Sequence, residues 1–188
     1  MKKVFILLSI IFMGLVSLAQ DDTNYAEIYE QLDVPTFEYL HGKDPGEYQD
    51  GVNSSWSLYP LFRLTSALYF KSITIEPGYY LLTPRQYENN WYMLFKEGGI
   101  VKYIIPIYNR DLTPEAYYEQ NQPEVEKTIS QKIHLAVLDF VGRIFPSSKR
   151  EPAPNNYLEL QEYGDNFVSI VIYWGDYKYF TVFRTVPI

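Results

Sequence analysis

The chain has 188 residues, no cysteine, a formal net charge of −7, and an aromatic load dominated by 19 tyrosines and 11 phenylalanines. An acidic chain argues against nucleic acid and anionic lipid head groups as partners, since both need a positive footprint. Without cysteine there is no thiol nucleophile, no disulfide and no acceptor for lipid attachment, so stability has to come from an ordinary core.

Residues 1–19 have the parts of a secretory signal peptide: Lys2 and Lys3, an apolar run from Val4 to Val16, and the small-residue ending Ser17-Leu18-Ala19. The 16 residues from Val4 to Ala19 would span about 24 Å as a helix, short of a hydrocarbon core of about 30 Å. Gly14 weakens that helix further, so cleavage between Ala19 and Gln20 is expected rather than anchoring. Removing the two lysines takes the net charge from −7 to −9. The Ala-Gln ending resembles leaders common in Gram-negative Bacteroidota, a similarity confined to the leader. It implies an exported chain, periplasmic or extracellular.

Residues 20–57 read as an N-terminal arm. Tyr25, Ile28, Tyr29 and Leu32 recur at helical spacing, predicting a short helix. Pro35 interrupts it, and His41 to Ser55 is turn chemistry. Residues 58–188 read as a single domain. Ala67–Ile75 predicts one strand, followed by a type II turn at Pro77-Gly78 and a return strand from Tyr79 to Pro84. Trp91–Lys96 and Ile100–Tyr108 predict a hairpin across Glu97-Gly98-Gly99, with Pro106 at an edge or a strand end. Both faces of that hairpin are mostly apolar in either register, so each needs a cover.

Thr113-Pro114-Glu115 predicts a helix start. Pro123 opens a longer helix that runs to about Phe145. Val125, Ile129, Ile133, Ala136, Val137, Phe140 and Ile144 form one apolar stripe on it, expected to lie on the sheet. His134, Leu138, Val141 and Phe145 form a second stripe on another side, expected to be covered as well. After a loop from Pro146 to Asn156 come three strands, joined by two-residue turns at Gly164-Asp165 and Gly175-Asp176. The second turn sets Trp174 opposite Tyr177 and Ile172 opposite Tyr179. The expected fold is therefore α+β: six or seven mostly antiparallel strands, a meander of four and then of three, with one long helix across a face.

Catalytic constellations are thin. The two histidines are His41, in a loop, and His134, expected to be packed within its apolar stripe; no G-x-S-x-G or phosphate loop is present. Asp44, Glu47 and Asp50 form an acidic turn, read as solvated rather than as a calcium site. Glu159 and Glu162 are the best paired carboxylates for a hydrolase, but three positions apart they fall on opposite faces of a strand. Asn53-Ser54-Ser55 matches a glycosylation acceptor. No cofactor, metal or catalytic residue is assigned.

These features point to a non-enzymatic envelope protein that binds another protein or itself, with His134, Leu138, Val141 and Phe145 as the contact. A carbohydrate- or lipid-binding module is the alternative, with Trp91, Tyr92, Trp174, Tyr177 and Tyr179 as an aromatic ligand face. Its signature would be a concave pocket lined by aromatics and a few polar groups.

Overall fold

The computed structural model describes residues 24–48, 50, 59–121, 128–145 and 154–187. The leader, the Asn53–Ser55 acceptor, the expected helix start at Pro123 and the loop from Pro146 to residue 153 lie outside the described residues. What is described is an α+β fold whose strand pairs are all antiparallel and which forms two sheets.

The first sheet contains β1 (Leu61–Leu64), β4 (Gly78–Tyr87), β5 (Asn90–Glu97) and β6 (Ile100–Pro106), in that spatial order. The second contains β2 (Leu68–Phe70), β3 (Ile73–Ile75), β7 (Asn109–Leu112), β8 (Asn156–Tyr163), β9 (Phe167–Trp174) and β10 (Tyr177–Arg184), ordered β3-β2-β10-β9-β8. Strand β10 is its hub. It pairs with β9 along its whole length, with β7 through Tyr177–Phe180 and with β2 at Arg184. The chain changes sheet three times, after β1, after β3 and after β6.

Alternation sorts the side chains. Phe62, Tyr80, Leu82, Met93, Phe95 and Ile105 face inward from the first sheet, and Val168, Ile170, Ile172, Tyr179 and Phe183 from the second. Phe95 meets Phe183 edge to face at 6.0 Å, and Trp91 lies 5.2 Å from Tyr179. This shared interior is the core, and each fully buried side chain of that size contributes roughly 1.5–3 kcal/mol before entropy.

Several local expectations are corrected. The strand read at Ala67–Ile75 is broken at Lys71, which has φ 49°, into the hairpin β2–β3. Helix α1 (Tyr25–Gln31) fixes that turn: the Lys71 backbone N–H donates to the Tyr29 hydroxyl at 2.6 Å, and Lys71 Nζ pairs with Glu30 at 2.7 Å. Gly78 is not a left-handed turn residue but the first residue of β4, because the chain is crossing between sheets there. The Gly98-Gly99 turn forms with both glycines at positive φ, as a two-residue type I′ turn requires. Past Lys96↔Val101 the register slips, so Phe95 faces Tyr103, with Lys102 as the extra residue of a bulge. Gly164–Asn166 is a three-residue loop with Asp165 and Asn166 at positive φ, whereas Gly175-Asp176 closes a two-residue turn that sets Trp174 opposite Tyr177.

Two further helices follow β7. Helix α2 (Glu115–Asn121) comes directly after Pro114. Helix α3 (Ile129–Ile144) starts on a capping box between Thr128 and Gln131. The expected packing of this helix across a sheet face is not found: along its 16 residues only Gly142 is buried.

Candidate functional site

Both sheets have a covered outer face, and the two covers differ in chemistry. On the first sheet the cover is the arm. Phe37 stacks on Tyr87, with ring centroids 3.9 Å apart, and meets Tyr92 edge-on at 4.9 Å. Further along the same face, alternation brings out Arg85 and Lys96, and Lys96 is only 2% exposed. The turn read as solvated is aimed at them. The Asp44 carboxylate accepts from Arg85 Nε at 2.8 Å and from Lys96 Nζ at 2.6 Å; Glu47 accepts from Lys96 at 3.1 Å, and Asp50 accepts from Arg85 and from the Tyr59 hydroxyl. Burial works against ionisation of Asp44, but the hydrogen bonds and charges of Arg85 and Lys96 outweigh it and hold the carboxyl below its ordinary range. Burial and the bond to Asp50 push the Tyr59 phenol up. The network carries two cations against three carboxylates, each engaged with another, so its chemistry is that of a latch for the arm.

The second sheet's outer face lies between α1 and α2. Tyr117 of α2 stacks on Tyr173 at 4.1 Å, and Tyr25 of α1 stacks on Tyr163 at 3.5 Å. Between them runs a groove of about 320 Å³, floored by strands β7 to β10 and lined by Tyr108, Tyr163, Tyr173 and Phe180 together with the polar Asp111, Gln161 and Lys178. Glu159 beside it accepts from Gln161 at 2.8 Å and from the hydroxyls of Tyr173 at 3.2 Å and Tyr117 at 3.4 Å. Burial, together with the neighbouring Glu159, raises both phenols. Burial likewise takes Tyr118 to about 12, its hydroxyl donating to the Gly175 carbonyl at 2.7 Å. These tyrosines stay protonated donors at neutral pH.

Of the aromatic ligand face read from sequence, Trp91, Trp174, Tyr177 and Tyr179 are neighbours turned toward the shared core, and Tyr92 lies apart on the outer face of the first sheet. Trp91, Tyr177 and Tyr179 surround the protein's own Arg110, whose guanidinium carbon lies 3.4 Å from the Tyr177 ring centre and 4.5 Å from that of Trp91. Trp174 lies near Tyr59, and Tyr92 meets Phe37. His134 is exposed rather than packed, and Leu138, Val141 and Phe145 are open on α3 with it, Leu138 being 53% exposed. His41 sits in a single 3₁₀ turn (Leu40–Gly42) with φ 53°. Glu159 and Glu162 point to opposite faces of β8, only the former meeting the groove's surroundings. Among the described residues no group of three or more His, Cys, Asp or Glu is arranged to hold a metal ion, and no helix is long and apolar enough to cross a membrane.

Sequence reasoning missed Arg85, Lys96 and Tyr59, and the groove residues. A lysine alternating with apolar residues in "WYMLFK" was the available sign of a buried charge. Period two along "YLELQEY", which sets Tyr157, Glu159, Gln161 and Tyr163 on one face, was the sign of a polar-aromatic strand surface. Comparison with protein-family models, with curated proteins and with solved structures finds no match.

Proposed function

We propose that the protein is an exported envelope protein that acts by docking α3 into an apolar groove of another envelope protein. Eight large apolar side chains exposed on a 16-residue helix carry this reading. Ile129, Ile133, Val137, Phe140 and Ile144 recur at three- and four-residue spacing, the pattern of anchors in helix-in-groove recognition. Phe140 alone is 63% exposed. Soluble chains rarely leave a contiguous apolar strip of this kind open. Charge selects the partner: of Lys132 and Arg143, the latter is paired with Asp139 at 2.8 Å, which leaves α3 a single net positive charge on a chain of net charge −7, too small a basic footprint for a membrane surface. That favours a protein groove over an anionic lipid surface. The stripe of His134, Leu138, Val141 and Phe145 flanks the main anchors and widens the contact.

The test compares the signal-processed chain with its I133E/F140E variant. The expected result is an envelope partner that cross-links to α3 of the wild type and is lost with the variant, while the two proteins melt alike. A strictly monomeric protein whose α3 amides are protected from hydrogen exchange by its own body would overturn the reading, as would equal capture by the variant.

A further inference from the structure

We infer that the groove on the outer face of the second sheet is a binding site for an uncharged, pyranose-based oligosaccharide. It is separate from α3 and does not depend on the reading given to that helix. The floor is built in rows by the strand register. Asn109, Phe180 and Val171 align across β7, β10 and β9, and Asp111, Lys178 and Tyr173 form the next row. Three inter-strand steps from β7 to β8 make the surface roughly 14 Å across, which suits a short run of sugar units. Its volume of about 320 Å³ falls at the low end for ligand clefts.

The lining decides the chemistry. A pyranose ring has an apolar C–H face and a rim of hydroxyls, so it is held by aromatic surface flanked by planar hydrogen-bonding groups. Tyr108, 42% exposed, stands at the mouth and meets Phe180 edge-on at 6.2 Å. Gln161 and Asp111 supply amide and carboxylate beside the rings. Charge then narrows the class. The groove's two charged lining residues, Asp111 and Lys178, lie 3.6 Å apart as an ion pair. With Glu159 beside that pair the surface carries a small excess of negative charge and has no spare cation for a uronate, sulfate or phosphate. A lipid tail would need a deeper and drier channel than this open, partly polar face.

The experiment is an amide-resolved NMR titration of the signal-processed chain with cellohexaose, laminarihexaose, xylohexaose, mannohexaose, maltohexaose and chitohexaose, with trigalacturonate as the charged control. At least one neutral hexamer should shift the amides of Asn109–Asp111, Lys178–Phe180 and Tyr25–Ile28, and trigalacturonate should leave them unmoved. Tyr108→Ala should weaken that binding about tenfold. Lys178→Glu, on the outer face of β10 and away from the core, should do the same and decides the matter if Tyr108→Ala fails to fold. The I133E/F140E variant should bind the sugar unchanged, which separates this site from the docking helix. No shift with any neutral hexamer at concentrations on the order of 5 mM, shifts confined to other surfaces, or undiminished binding by the groove variants would overturn the assignment.

Discussion

Asp44 is the residue on which the seating of the arm turns, because it accepts from two cations at once. Asp44→Asn leaves Lys96 with only the half-exposed Glu47, and a buried charge deprived of its partner costs about 3–5 kcal/mol. Lys96→Met should cost less, since Asp44 keeps Arg85; equilibrium urea unfolding of the two variants checks the order. The pH dependence follows from the sign of the shift. The Asp44 carboxyl is held below its ordinary range in the fold, so its contribution is present above the unfolded value of about 3.9 and disappears as pH falls through the folded one. Wild type and Asp44→Asn should therefore differ at pH 7 and converge in acid. None of this was legible locally. The turn "KDPGEYQD" looks solvated because its counter-charges stand 41 and 52 positions away, and only strand pairing brings Arg85 and Lys96 to it.

At the scale of elements, the hairpin of β5 and β6 and the three helices were read well, but the packing of α3 was not, for one physical reason. A tight turn is local chemistry: Gly98 and Gly99 need positive φ, and nothing lies within 4 Å of a Cβ at either. Gly98→Ala and Gly99→Ala should thus each cost about 1 kcal/mol from backbone strain alone, read as a lower urea midpoint with an unchanged slope. The bulge at Lys102 was not legible because no residue type beside the turn marks the shift in register between β5 and β6. Periodicity in α3 identified the apolar stripes but not what they face, since a stripe looks the same whether its cover is the protein's own sheet or a partner. Helix α1 shows the opposite case, a short weak pattern whose Ile28 and Tyr29 end up in the core.

For the whole molecule, that placement makes the N-terminal helix part of the fold. Deleting residues through Leu32 removes Ile28, Tyr29 and Leu32 from the main core cluster. At roughly 1.5–3 kcal/mol per buried side chain, the loss should lower the melting temperature by at least about 10 °C in a calorimetric scan. The α+β class and the antiparallel pairing were visible in the turn signals and alternation. The division into two sheets was not, because three short crossings after β1, β3 and β6 carry no composition that marks them.

The central place of β10 has a consequence for biogenesis. The second layer is assembled around a strand that, among the described residues, leaves the ribosome after its five fellows in that layer, and the greasy underside of the first layer has no complete lid until then. Native closure must wait for residue Arg184, so the nascent polypeptide ahead of it remains pliable until that point. A chain bound for export would need that same delay, since a secretion channel admits only what has not yet set into shape.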